Sequence, residues 1–198
     1  MKQNKTIIAI TGGIGSGKSL VRHLLAEKGY NCYDCDAINA ELLQSNAYLM
    51  GLHKLFPACF EAGVLRKDLL KQEIFRSEKS RQKLNAYAHA AIKDELIKRI
   101  NASKETLLFV EVPILNDTTD DFVSLFDKIW IVYCNKNKRA LRVLERDTDN
   151  ATLLDRIMLS QEKERSYEKP VSMIKNEGTI EDLSANVEQE LNRIKKGV

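Results

Sequence analysis

Hydrophobic positions along the chain change period several times, and each change marks an element. Thr6-Ile7-Ile8-Ala9-Ile10-Thr11 is a continuous, β-branched apolar run, the kind buried on both faces of a parallel sheet. After Ser19 the apolar residues fall at helical spacing, at Val21, Leu24 and Leu25, and Gly29 suits a helix stop. Tyr30 to Asp34 reads as a second short strand. Asp36 to Leu43 reads as a helix with Asp36 at or near its N-cap.

From about Leu52 to Ser103 the pattern is helical throughout, with no strand signal. Leu65 to Phe75 is one helix; Glu78 to Ile100 is a longer one, striped by Leu84, Tyr87, Ala88, Ala91, Ile92, Leu96 and Ile100. Thr106 to Pro113 and Lys128 to Cys134 are apolar runs of interior strands. Asn135 then starts a helix on which Arg139, Arg142 and Arg146 share one face. Residues 147–151 are polar and turn-prone, and 152–165 read as helical again. Val171 to Ile174 is a last strand, Asn176-Glu177-Gly178 its turn, and Thr179 to Lys195 a closing helix with Ile180, Leu183, Val187, Leu191 and Ile194 inward.

Strands alternating with helices predict an α/β fold around a parallel sheet. Residues 1–50, 104–146 and 169–198 make its core, 51–103 a helical lobe, and 147–168 a mobile lid that closes over the ligand.

The turn between the first strand and first helix carries the chemistry. Gly12-Gly13-Ile14-Gly15-Ser16-Gly17-Lys18-Ser19 spells G-x-x-x-x-G-K-S, the loop whose inward amides cradle the phosphates of a nucleoside triphosphate. Lys18 brings a point charge to the terminal phosphates, Ser19 a hydroxyl for Mg²⁺, and the helix its positive end. Strand, glycine loop and helix occur in the order the motif requires.

Ligands bind outside the carboxyl ends of parallel strands, which places Asp34 and Asp36 at the loop's edge. Asp36 is either a helix cap or the general base for an acceptor hydroxyl. Glu111 is either a strand-end charge or an acid that orients water around Mg²⁺. The arginine face is either solvated or a source of cations for a transferring phosphoryl group. His89, on or beside the long helix's stripe, defaults to packing or solvation.

Composition narrows the classes. With 31 basic and 28 acidic side chains the net charge is +3, too weak a field to argue for nucleic acid. No stretch approaches the roughly 20 apolar residues of a membrane span. Residues 1–10 loosely resemble a signal peptide, but the apolar run is too short and feeds into the glycine loop. Cys32 and Cys35 form C-x-x-C without further ligands at metal spacing, so free thiols are the default. A cytoplasmic protein is expected.

Together the motifs resemble the dephospho-CoA kinase family. The family reads T-G-G-I-G-S-G-K-S where this chain has Thr11 to Ser19. Asp34-Cys35-Asp36 matches its D-x-D, Leu84-Asn85 with His89 its L-N-x-x-x-H, and Val112-Pro113-Ile114-Leu115 its P-L-L segment. Arg142, Arg146, Arg156 and Gln161 fit its lid pattern, and Asn176 with Gly178 its adenine-side loop. Departures are Leu20 for threonine, Ala90 for proline, Asn116-Asp117 for an aromatic-acid pair, and Pro170-Val171 for alanine-aspartate.

The resemblance implies a three-layer P-loop kinase using ATP and Mg²⁺ on dephospho-CoA, most simply as a monomer. It implies a catalytic set of Lys18, Asp36, Arg142 and Arg146. Gly12 to Ser19, Leu20, Arg142, Asn176 and Gly178 would meet nucleotide. Asp36, Lys67 (or its neighbour Arg66), His89, Pro113 and Leu115 would meet the acceptor, with Ser19 and Glu111 toward the metal. From the residues alone the reading stops at a small-molecule P-loop kinase, with a nucleotide-dependent switch as the non-enzymatic alternative.

Overall fold

The structure, a computed structural model, describes residues 5–113, 115, 120–146, 157 and 167–197, without the side chains of Asp120, Asp121 and Arg146. The chain divides into two compact units, Met1–Asp34 with Glu105–Val198, and Cys35–Lys104.

The first unit is built on five strands, β1 (Thr6–Gly12), β2 (Asn31–Asp34), β5 (Leu107–Glu111), β6 (Lys128–Tyr133) and β7 (Val171–Lys175). They lie in the order β2-β5-β1-β6-β7, and every pairing is parallel. β1 is therefore central, and Gly12 ends it between the carboxyl ends of β5 and β6. The continuous apolar runs are explained by burial on both faces. Ile8, Ile10, Phe109, Trp130, Val132 and Ile174 pack with Val21, Leu24 and Leu25 of α1 (Lys18–Glu27) and Leu183, Val187 and Leu191 of the C-terminal helix (Ile180–Lys195). Their neighbours Ile7, Ala9, Leu108, Val110 and Ile129, pointing the other way, are equally buried.

Two further helices of this unit are α6 (Asp120–Val123) and α7 (Lys136–Arg146), so the C-terminal helix is α8 here. Ile180 does not point inward as its spacing predicts. It is 58% exposed, because as the first residue of α8 it has no preceding turn to lie over. Most of the expected lid, with Arg156 and Gln161, lies outside the described residues.

The second unit holds α2 (Cys35–Leu42), α3 (Asn46–Leu55), α4 (Lys67–Arg76) and α5 (Glu78–Ala102). It begins at Cys35, earlier than the change of pattern at residue 51, and α2 packs against α5 within it. Its core gathers Tyr48, Leu52, Phe56 and Cys59 with Leu84, Tyr87 and Ala91 of α5 and Leu69 and Leu70 of α4. Tyr87 also donates its hydroxyl to the Tyr48 carbonyl at 2.8 Å.

The stretch is not helical throughout. β3 (Phe60–Glu61) and β4 (Val64–Leu65) form an antiparallel hairpin whose turn residues, Ala62 and Gly63, have φ of 48° and 79°. Two consecutive positive φ values are the backbone signature of the tight hairpin turn whose twist matches its strands.

Candidate active site

At the end of β1 the chain makes the loop its motif predicts. Gly17, at φ 97°, lies so close to Asn176 that a Cβ would come within 2.1 Å of the Asn176 Nδ2. Only glycine suits both the conformation and the approach. Lys18 folds back along the loop, its Nζ donating to the Gly12 carbonyl at 3.0 Å and the Gly13 carbonyl at 3.2 Å. The Ser16 amide donates to Gly13, and the buried Ser16 hydroxyl has no hydrogen-bond partner among the described residues. Leu20 turns its side chain to the core cluster and donates its amide to Gly17, so the structure gives it a packing role.

The loop is braced from behind. Arg139 of α7 is 6% exposed, and its Nε donates to the Ile14 carbonyl at 2.8 Å. Its guanidinium fills the space beside Gly13, where an added Cβ would come within 2.4 Å of it. One member of the predicted arginine face is thus buried against the phosphate loop, not solvated. Asn176, at the end of β7, donates from Nδ2 to the Ser16 carbonyl at 2.7 Å. Its Oδ1 accepts from Arg142 Nη2 at 3.3 Å, and Arg142 Nη1 lies 3.4 Å from the buried Cys134 sulfur. Arg142 and Asn176 are therefore brought to the loop. Arg146 is the last residue of α7, its side chain outside the described set.

Beside the loop serine sits the acid of β5. Ser19 Oγ donates to Glu111 Oε1 at 2.8 Å, and Arg22 Nε donates to Glu111 Oε2 at 2.7 Å. Arg22 also reaches Asp34, Nη2 to Oδ2, at 3.3 Å. Glu111 is thus a buried, bonded acid, not a loose strand-end charge. Its hydrogen bond raises the Arg22 pKa above the ordinary value, with burial opposing. A serine hydroxyl and a carboxylate at hydrogen-bond distance form an all-oxygen set suited to a hard cation such as Mg²⁺.

Other expected residues fall differently. Leu115 is buried, and its carbonyl accepts from the Tyr167 hydroxyl at 3.1 Å. Its side chain is buried among core residues. Pro113 is half-buried just beyond β5. Gly178 has a local reason to be glycine, since a Cβ there would meet the Asp182 carboxylate at 2.2 Å.

Within the helical unit, Asp36 is exposed in the first turn of α2, and Lys67 is exposed at the start of α4. Arg66 is committed to its own neighbours, bonding Asp68 at 2.9 and 3.1 Å and pairing with Glu61. His89 is on an outward position of α5, its pKa lowered by partial desolvation. The four cysteines are free, and burial pushes the Cys32 thiol up to about 11, well into the protonated range at neutral pH.

Two residues in contact with the loop or its acid have no motif to announce them. Arg22 carries one faint signal: three residues after Ser19, it shares that residue's helix face. Arg139 carries its offset from Arg142, which shows a shared face but not its burial.

A parallel sheet whose central strand runs into a phosphate loop, with a metal-suited oxygen pair and arginines from α7, defines a P-loop kinase. The comparisons resolve the class further. The family model for dephospho-CoA kinase matches residues 6–182, and this chain belongs to that family. A dephospho-CoA kinase of Fusobacterium nucleatum is 30% identical over 92% of this chain and 95% of its own length. Among solved structures, a Thermus thermophilus protein superposes with a TM-score of 0.81 at 26% identity, over 96% of this chain and 98% of its own. A dephospho-CoA kinase from Campylobacter jejuni shares the fold at TM-score 0.67 and 20% identity, covering 98% of both chains.

Proposed function

We propose that this chain transfers the γ-phosphoryl group of ATP to the ribose 3′-hydroxyl of dephospho-CoA, giving CoA and ADP. The observation that carries the reading is a family match spanning residues 6–182 on a chain whose phosphate loop is folded and braced. The hydroxyl oxygen forms a bond to the γ-phosphorus while the bond to the β–γ bridging oxygen breaks, and ADP leaves. Asp36 takes the hydroxyl proton or aligns the hydroxyl. The loop amides and Lys18 hold the β- and γ-phosphates, releasing Lys18 from the loop carbonyls it bonds here. Arg142 and Arg146 offset charge as the phosphoryl group moves.

Ser19 and Glu111 are the residues we assign to Mg²⁺, which when bound supplies charge neutralisation on the phosphates. Asn176 and Gly178 would border the adenine, and Lys67, His89 and Pro113 the acceptor. No named role requires a second copy of the chain, so a monomer suffices. Among the described residues no helix is long and apolar enough to cross a membrane. With its free thiols the enzyme suits the cytoplasm, where its ATP is found.

The test is ADP release with ATP and Mg²⁺ against a panel of acceptors. Dephospho-CoA should stimulate release; CoA, adenosine and nucleoside monophosphates should not. Stimulation by a nucleoside or its monophosphate instead would make this a different kinase of the same architecture. Nucleotide binding without any acceptor-dependent release would favour a switch.

A further inference from the structure

Asp34 and Glu111 stand opposite each other in the parallel register of β2 and β5, so two carboxylates emerge side by side at the carboxyl edge of the sheet. Like charges directly across a strand pair repel. Arg22 answers them from α1, its Nε 2.7 Å from Glu111 Oε2 and its Nη2 3.3 Å from Asp34 Oδ2. The remaining Glu111 oxygen accepts from Ser19 at 2.8 Å. Both oxygens of Glu111 are therefore committed, one to the guanidinium and one to the loop hydroxyl. The Glu111 side chain is 8% exposed, but those of Asp34 and Arg22 are 22% and 32% exposed, so ions reach the outer side of the group.

We propose that Arg22 is a positioning residue of the phosphoryl-transfer site, a resident counter-cation. It fixes the Glu111 carboxylate against Ser19 and keeps the Asp34–Glu111 pair from capturing a divalent cation until nucleotide arrives. The inference rests on the assignment of Ser19 and Glu111 to Mg²⁺. With Arg22 in place the two carboxylates and one guanidinium carry a formal charge of −1; without it they carry −2. Mg²⁺ gives up its water reluctantly and is ordinarily held by one or two carboxylates together with substrate phosphates. A group at −1 needs the triphosphate to complete the site, whereas a bare pair at −2 competes for the ion by itself. An ordinary exposed ion pair would contribute little, and its loss would leave metal affinity where it was.

The test is a Mn²⁺ titration of the nucleotide-free protein followed by electron paramagnetic resonance, with thermal melting and equilibrium ATP binding as controls on folding. Arg22→Gln is expected to acquire one Mn²⁺ site at least about tenfold tighter than wild type. Arg22→Lys, which keeps the charge, should stay close to wild type. Arg22→Gln combined with Glu111→Gln should lose the acquired site. Arg22→Met keeps the aliphatic stem and repeats the measurement if the glutamine variant misfolds. Mn²⁺ affinity of a folded Arg22→Gln or Arg22→Met within about twofold of wild type overturns the proposal. The metal assignment is judged separately, from Mn²⁺ in the ATP complex of wild type and Ser19→Ala. If Ser19→Ala leaves that signal unchanged, the assignment fails, whatever the Arg22 variants do.

Discussion

Asn176 Nδ2 donates to the carbonyl oxygen of Ser16 at 2.7 Å, tying the end of the last strand to the phosphate loop across 160 residues of sequence. The same amide accepts from Arg142 on its other side, which settles its orientation, nitrogen toward the carbonyl and oxygen toward the guanidinium. The side chain is buried, so neither partner is easily resupplied by water. Losing one partner of a buried hydrogen bond costs about 1–3 kcal/mol. Asn176→Ala should therefore raise the KM for ATP by about tenfold or more, with a smaller change in kcat. Steady-state kinetics with ATP as the varied substrate measures it, and an unchanged KM would separate Asn176 from the loop's binding geometry.

Arg139 supports the loop two residues earlier, at Ile14. Its Nε bond to Ile14 and its packing beside Gly13 hold the loop tip, and its charge sits behind a site meant for polyphosphate. Arg139→Met removes donor and charge together but keeps much of the stem. We expect about tenfold weaker binding of ATP, a similar loss for inorganic tripolyphosphate, and only partial recovery in Arg139→Lys, which lacks the planar fork. Equilibrium titration with both ligands reads this out. A loss confined to ATP would place the effect at the nucleoside end.

Much of this arrangement is legible along the chain, and the failures have physical causes. The inner strands β1, β5 and β6 announce themselves because both faces are largely buried, leaving unbroken runs such as Leu107 to Val110. The glycine loop is legible because its function fixes residue types at fixed spacing. The β3–β4 hairpin is not, since its strands are two residues each and Ala62 occupies a conformation usually given to Asn, Asp or Gly. Arg22 and Arg139 share one difficulty: charge on a helix ordinarily signals water, and only tertiary packing shows that the charge faces a carboxylate pair or a loop carbonyl.

Asp36 is the residue on which the proposed proton transfer turns. It stands in the first turn of α2, exposed, two residues beyond the last residue of β2. Asp36→Asn keeps the shape and the helix start while removing the basic oxygen. If it accepts or aligns the acceptor proton, turnover should fall by about 10²-fold or more, with ATP affinity retained. A near wild-type kcat would return Asp36 to the role of a helix-terminal charge.

The turn that follows Asn176 separates folding from binding. Thr179 and Asp182 form a reciprocal capping box at the start of α8. Asp182 N donates to Thr179 Oγ1 at 3.2 Å, and Thr179 N donates to Asp182 Oδ2 at 2.9 Å. α8 packs Leu183, Val187 and Leu191 onto the sheet, so its first turn belongs to the core's stability. Thr179→Ala removes one half of the box and should cost about 1 kcal/mol. That is a fall of a few degrees in Tm for a chain of this size. Among the described residues Thr179 bonds Asp182 and not the loop, Arg142 or Glu111, so the KM for ATP of Thr179→Ala should be unchanged. Gly178→Ala should lower Tm as well, because its added methyl meets the Asp182 carboxylate first. Thermal melts run beside ATP kinetics on both variants decide the matter. A raised KM in Gly178→Ala at unaltered Tm would show that this glycine is there for the nucleotide and not for the helix.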